Sequence, residues 1–522
     1  KQSSTGQESE EDTAPIHTGN AESSPVEKED IDNTSPTPPS NNEENKEGDV
    51  ADNTASQPND NSTGESNTQG SELPTPNQPP SNAPTLPYTP KDPNRIFDEA
   101  DKFTQPHGEI EALYPQQYQA VDDQRNGQKV AVIDVDFSAT DDTGGAFLST
   151  NKENRLLLNR GIHYVAKGNK NSHGTMAAGV IALKNQTVYI YGYTAKSTDS
   201  DTISATNQHY EAAREQGVRI FNNSHGNTPT KDWLDKNGGW KYFVDRAFYP
   251  MLAEWAAKDS IFIWAAGNDG QKSYTGQNQY ATTESHIPVI NDDARRGWIT
   301  VAAVDWDGRH LMPYSSQVGE TAKTWGIAAR GDWNLFNGTV PAQGTSFAAP
   351  EVTAAVAKVW DKFPWMSNHL VTQTILSTAN KLNSNEVTDG PNAQVGWGVL
   401  NEERALKGPA RFDTRLLVRS DNGFVTVNFD HRNYNDKERL TWSNDIAGDA
   451  GFKKQGTGTL YLSGNNRYTG QTIVEGGTLA ITKALTQSEV TIEKNGTLLA
   501  NGEQQAVQIG KSVNNSGSLE VY

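Results

Sequence analysis

The stretch GTVPAQGTSFAAPEVTAAVAKVW, residues 338–360, is an alanine-rich, helix-forming run that opens on Gly344-Thr345-Ser346. The first turn of a helix leaves backbone N–H groups without partners and carries the positive end of the helix dipole. A serine placed there has its own N–H among those donors, and its hydroxyl lies where developing negative charge is favoured. Gly344 leaves the approach open, Thr345 can serve as N-cap, and Ala348 and Ala349 let the helix lie close against a sheet. Pro350 falls near the end of the first turn, where its missing N–H costs at most one helical bond. A Thr-Ser pair can also be an ordinary helix cap, so a chemical role for Ser346 requires a base and a group that orients the base.

Among the 10 histidines, His173 in NSHGTMAAGVIA stands just ahead of Gly and Thr at the start of a small-residue helix, where its imidazole can face a cleft. The orienting carboxylate is expected at a buried strand end. Asp134 in VAVIDVDF follows four apolar residues, and Asp136 two residues on points to the same face, so residue chemistry alone does not separate the two.

From residue 96 to about 406 the pattern alternates between strand and helix. GQKVAVIDVDF is a β-branched run, SHGTMAAGVIAL is helical, and EAAREQGVRIFNNS and MLAEWAAKDSIFIWAAGN each read helix then strand. Helices alternating with near-continuous apolar strands predict an α/β fold, a parallel sheet covered by helices, with function at the carboxyl ends of its strands. After NEERALKG the composition changes. ARFDTRLLVRSDNGFVTVNF, within 409–430, reads as strand, turn, strand, and from Gly456 onward Gly, Thr, Asn and alternating aliphatics dominate. Gly458-Thr459-Leu460, Gly477-Thr478-Leu479, Gly496-Thr497-Leu498 and Gly517-Ser518-Leu519 recur at intervals of 19, 19 and 21 residues. A period near 20 predicts the start of a β-helix (β-solenoid) stem, whose rungs bury themselves against one another; the alternative is a small antiparallel sandwich.

The first 90 residues hold 17 acidic and 3 basic residues, 13 of the 25 prolines and one aromatic, Tyr88. Such a segment cannot offset its ordering entropy by burial. The predicted organisation is a disordered acidic leader over 1–92, an α/β domain over 93–408, and a β-rich connector and stem over 409–522. The leader accounts for −14 of the net charge of −20, leaving −6, and no basic patch points to nucleic acid. No run of about 20 apolar residues suggests a spanning helix, and a start at Lys1 without an apolar leader reads as a processed chain. The absence of cysteine excludes disulfides, thiolate metal sites and a cysteine nucleophile.

VAVIDVDF, HGTMAAGVIA and GTSFAAPEVTAAVA, in the order Asp, His, Ser, resemble the signature blocks of the subtilisin-like serine proteases. The resemblance covers about 96–406 and implies a serine endopeptidase in which Ser346 is the nucleophile, His173 the base and Asp134 the orienting aspartate. It implies that the amide of Asn268 in FIWAAGNDG completes an oxyanion hole with the Ser346 N–H. NNSHG, 222–226, resembles the strand that pairs with substrate, which places Ser224, His225 and Gly226 at the substrate; Trp264 would narrow the floor of the first pocket. Two positions depart from the family pattern: Asp136 stands where glycine is usual, and Ala329-Arg330-Gly331 where Ala-Pro-Gly is usual. Neither removes a group the chemistry needs. The resemblance implies no required cofactor; calcium is common in the family, but loops such as SATDDTGG are too generic to assign ligands.

KQGTGTLYLSGNNRYTGQTIVEGGTL, 454–479, resembles the passenger-associated transport repeat of Gram-negative autotransporters. Together the two resemblances imply a subtilase passenger on the outer face of the cell or released to the medium, monomeric, acting on surface proteins of the same cell and on itself. They also imply a membrane β-barrel that is not within this chain. The alternative function is a surface adhesin or structural passenger that keeps the protease domain as a scaffold.

Overall fold

The computed structural model describes residues 127–135, 137, 147–149, 155–157, 173–185, 187–194, 207–227, 249–270, 281–335, 340–382, 389–431, 434–502 and 505–522. All belong to the unit spanning Pro79–Tyr522. The expected leader and Asp136 lie outside the described residues.

Six strands form the central sheet: β1 (Lys129–Asp134), β2 (Tyr189–Thr194), β3 (Ile220–Asn223), β4 (Ile261–Ala265), β5 (Trp298–Val304) and β6 (Gly326–Arg330). Their order is β2-β1-β3-β4-β5-β6, and every pairing is parallel. The strands are apolar at nearly every position because both faces are covered, and alternate residues serve opposite cores. Val130, Val132, Ile261, Ile263 and Ala265 point toward helices α1 (His173–Lys184) and α4 (Thr345–Lys362). Ala131, Ile133, Phe221, Phe262 and Trp264 point the other way, toward α2 (Asn207–Glu215) and α3 (Tyr249–Lys258). Strand order reverses between β1 and β3, and a crevice at such a switch point is where open α/β sheets bind ligands.

The alanine-rich run that contains Ser346 begins its helix one residue earlier than its composition suggests. Gly344 is the N-cap, at φ 144°, and Thr345 is already helical, so Thr345 does not cap. An ideal Cβ on Gly344 would stand 3.3 Å from Asn268 Nδ2, which explains the glycine twice over. Pro350 leaves the carbonyl four residues back, that of Ser346, without its helical partner; the Ser224 hydroxyl donates to it at 2.7 Å.

Beyond residue 408 the expected first strand of the connector is absent. Thr414–Leu416 and Arg419–Asp421 are 3-10 turns, and only Phe424–Asn428 is a strand. Asp413 dictates this: its carboxylate accepts the Arg415 N–H at 3.0 Å and pairs with the guanidinium groups of Arg411 and Arg415. The stem that follows is a parallel solenoid, not an antiparallel sandwich. Thr459 pairs with Thr478 and Leu460 with Leu479, Gly477 with Gly496 and Leu479 with Leu498, Thr497 with Ser518 and Leu498 with Leu519, so the Gly-Thr-Leu repeats stack rung on rung. One apolar core runs unbroken from the sheet into the stem. At the junction Trp365, just past the end of α4, stacks on Phe429 at 4.6 Å and donates its indole N–H to the Arg439 carbonyl at 2.7 Å.

Candidate active site

Asp134 ends β1 and is wholly buried. Its Oδ1 accepts the Val135 N–H at 2.7 Å and lies 2.6 Å from His173 Nδ1; Oδ2 is buried without a hydrogen bond. A carboxylate in that setting is costly to bury unless its charge is answered, and the imidazole answers it. The carboxylate accepts from Nδ1–H, which leaves Nε2 as the basic nitrogen. His173 opens α1, and its ring centroid is 5.4 Å from that of Phe347, the neighbour of Ser346.

Ser346 is the second residue of α4. Its hydroxyl donates to the Ser224 carbonyl at 3.1 Å while Ser224 donates back to the Ser346 carbonyl. The anchorage continues inward, since Asn222 donates to Ser224 Oγ at 2.9 Å and Thr353, two turns along α4, donates to Asn222 Oδ1 at 3.0 Å. The end of β3 and the start of α4 are thereby fixed to one another. Asn268 follows β4 and is held by its oxygen: Oδ1 accepts the Thr345 N–H at 2.9 Å and the Thr345 hydroxyl at 3.0 Å, while that hydroxyl accepts the Gly267 N–H at 3.1 Å. With the oxygen committed to Thr345, the amide nitrogen lies by Gly344, beside the Ser346 N–H.

The three remaining residues singled out in the sequence divide between strand end and core. Gly226 is exposed, and a Cβ there would meet Thr282 at 2.7 Å and Glu284 Oε2 at 2.8 Å. His225, partly exposed, turns its ring to the other face of the sheet and packs edge-on against Trp264 at 5.3 Å. Burial pushes its pKa down to about 4, so this second imidazole stays neutral at ordinary pH. Trp264 is wholly buried and stacks on Trp298 at 5.8 Å, in the core beneath the site. Sequence reasoning missed Thr345 as the residue that orients Asn268, although Gly-Thr-Ser contains it. It also missed Glu284, which no motif marks.

Among the described residues one group of three side chains could hold a cation, Asp305, Asp307 and His310, with ligand atoms within 4.8 Å of one another. The set does not suit calcium, which takes six to eight oxygen ligands. Asp305 is already engaged by the N–H groups of Arg309 and His310 and by the His310 ring, and Asp307 faces the Arg309 guanidinium at 3.4 Å.

Fold and site together define a serine protease domain of the subtilisin-like α/β class. The subtilase family profile matches residues 125–398, and the chain belongs to that family. The passenger-associated-transport-repeat profile matches residues 452–481. Two curated relatives are similar over about two thirds of this chain. The Neisserial autotransporter lipoprotein NalP of Neisseria meningitidis serogroup B is 30% identical over 388 residues, 67% of this chain and 33% of that protein. An extracellular serine protease of Serratia marcescens is 26% identical over 432 residues, 65% of this chain and 40% of that one. The chain thus spans about a third to two fifths of the length of these relatives. Among solved structures, the prenylagaramide maturation protease PagA is 19% identical, with a TM-score of 0.36 over 55% of this chain and 97% of that one. No helix among the described residues is long and apolar enough to cross a membrane.

Proposed function

We propose that the protein is a serine endopeptidase in which Asp134, His173 and Ser346 form the catalytic triad. The observation that carries this reading is the 2.6 Å contact of His173 Nδ1 with buried Asp134, next to a serine at a helix N-terminus. Ser346 Oγ attacks the scissile carbonyl as His173 Nε2 takes its proton; Asp134 holds the tautomer and stabilises the imidazolium. The oxyanion receives hydrogen bonds from Asn268 Nδ2 and the Ser346 N–H. The tetrahedral species collapses to an acyl-enzyme as His173 gives the proton to the leaving amine, and water then repeats the sequence to release the acid. The backbone at 224–226 aligns the substrate as an added strand. The chemical step runs through these side chains and backbone N–H groups; calcium would enter as a structural ion with ligands still to be assigned.

The transport repeat, the similarity to an autotransporter lipoprotein and the similarity to an extracellular serine protease support a passenger displayed on, or released from, a Gram-negative cell surface; in this reading it is monomeric and delivered by a β-barrel of its own. Its substrates are surface-exposed or secreted proteins of the same cell, its own stem among them. The test compares wild type with Ser346→Ala, first for covalent labelling by a fluorophosphonate, then for proteins shed from expressing cells. Labelling that survives in the Ser346 variant refutes the triad; identical shed profiles with an active purified enzyme refute the surface role.

A further inference from the structure

Glu284 is a buried charge the chemistry above does not use. It lies in the 3-10 segment Thr283–Val289 and is 3% exposed. The segment ties together the two strand ends that carry the active site. Thr282 donates its N–H to the Ala266 carbonyl at 2.9 Å and its hydroxyl to the Ala265 carbonyl at 3.1 Å, and the Thr283 N–H donates to the Asn227 carbonyl at 2.7 Å. The segment therefore bridges the backbone at 226–227, past Ser224, and the backbone at 265–266, ahead of Asn268, and the Glu284 carboxylate lies on the 226–227 side of that bridge. Oε2 accepts the Asn227 N–H at 3.0 Å, and Oε1 accepts the Tyr249 hydroxyl at 2.8 Å. A Cβ on exposed Gly226 would stand 2.8 Å from Oε2, so the carboxylate lies directly against the backbone at Gly226.

These partners satisfy hydrogen bonds but leave the charge unanswered. Among the described residues no Lys, Arg or His forms an ion pair with Glu284, and burial pushes its pKa up. A buried carboxylate without a cation is a standing cost, and a site that keeps one gains most when a cation arrives with the substrate.

We propose that Glu284 forms the floor of the pocket for the substrate residue on the acyl side of the scissile bond, and that it selects lysine or arginine there. The inference rests on Ser346 being the nucleophile, since that fixes which pocket adjoins the scissile carbonyl. The apolar stem of a long basic side chain passes between the 224–227 and 265–267 backbones, and its head meets the carboxylate.

The test is kcat/KM for fluorogenic peptides that differ only at that residue, carrying Lys, Arg, Leu, Phe or Gln. Wild type should cleave the Lys and Arg peptides at least about 10-fold better than the others, with p-aminobenzamidine a competitive inhibitor. In Glu284→Gln, whose amide oxygen can still accept the Asn227 N–H while its NH2 donates to the Tyr249 hydroxyl, the ratio of Lys to Leu cleavage should fall by about 10²-fold. Wild type that favours Leu or Phe overturns the proposal, as does a Lys preference that persists in a folded Glu284→Gln. If circular dichroism shows that variant unfolded, the wild-type series and the benzamidine competition decide. Fluorophosphonate labelling of wild type in parallel separates the failures: without labelling the proposed function falls, whereas labelling without a basic preference removes only the role of Glu284.

Discussion

Of the three aspartate–histidine pairs among the described residues, two join the aspartate to Nδ1 at almost the same distance. Asp134 Oδ1 lies 2.6 Å from His173 Nδ1, and Asp305 Oδ2 lies 2.7 Å from His310 Nδ1; both aspartates are buried and directly follow or end a strand of the central sheet. They differ in what stands around them. His173 is a third exposed and adjoins the N-terminus of the Ser346 helix, whereas His310 is 59% exposed on a turn that its own Asp305 staples shut. The second pair also borders a cavity of about 990 Å³, lined among others by Lys184, Trp333 and Glu351. Asp134, His173 and Ser346 do not line that cavity. In the proposed mechanism, what sets the first pair apart is the helix-borne serine and the amide held by Thr345, neither of which adjoins the second pair or the cavity.

Substitutions around the two pairs should separate them in order of size. Ser346→Ala and His173→Ala should each lower peptide turnover by about 10⁶-fold, with the double variant little worse, because nucleophile and base act as a unit. Additive losses measured in that cycle would break the assignment. Asp134→Asn should cost about 10⁴ in kcat, since the wrong tautomer is then presented to Ser346; a mild loss there with a severe one in Asp136→Asn would move the triad to the other carboxylate. Asn268→Ala should lower kcat by about 10²–10³ with the fold intact. Steady-state kinetics showing unchanged turnover would assign the oxyanion to another donor. His310→Ala, by contrast, should change kcat/KM by less than about twofold and act only on the stability of its turn.

A further contrast concerns the cores rather than the site. Lys454 is wholly buried in the stem, its ammonium 5.0 Å from the Phe429 ring, and burial pushes its pKa down to about 8. Unfolding restores the ordinary value near 10.5, so between about pH 8 and 10.5 the unfolded chain binds the extra proton and stability rises with pH. Lys454→Met should abolish that rise and raise the melting temperature at pH 7. Melting curves at several pH values check this, and a wild type whose stability is flat across the window would contradict it.

Much of this was legible in the residues. Apolar runs buried on both faces announced the parallel sheet, and Gly-Thr-Leu at a period near 20 announced rungs that do stack Gly477 on Gly496 and Leu479 on Leu498. The helix Thr345–Lys362 was legible because small residues, a glycine and a proline fall at positions with separate physical reasons. What escaped notice depends on contacts distant in sequence. Nothing near Pro350 foretells that Ser224 will satisfy the carbonyl it frees. Trp264 sits beside the site in sequence, yet strand alternation turns it into the opposite core. Asp413 drew Arg411 and Arg415 onto itself and converted an apparent strand into turns, a charge effect that β-branched composition conceals.

The central claim is that the Asp134–His173 pair, and not the Asp305–His310 pair, activates Ser346. Its most direct test is the mass of the intact chain, and of its proteolytic peptides, after brief treatment with a fluorophosphonate, in wild type, His173→Ala and His310→Ala. The account predicts a single adduct on Ser346 in wild type and in His310→Ala at matching rates, and none in His173→Ala. An adduct on another residue, or labelling of His173→Ala at the wild-type rate, would contradict it.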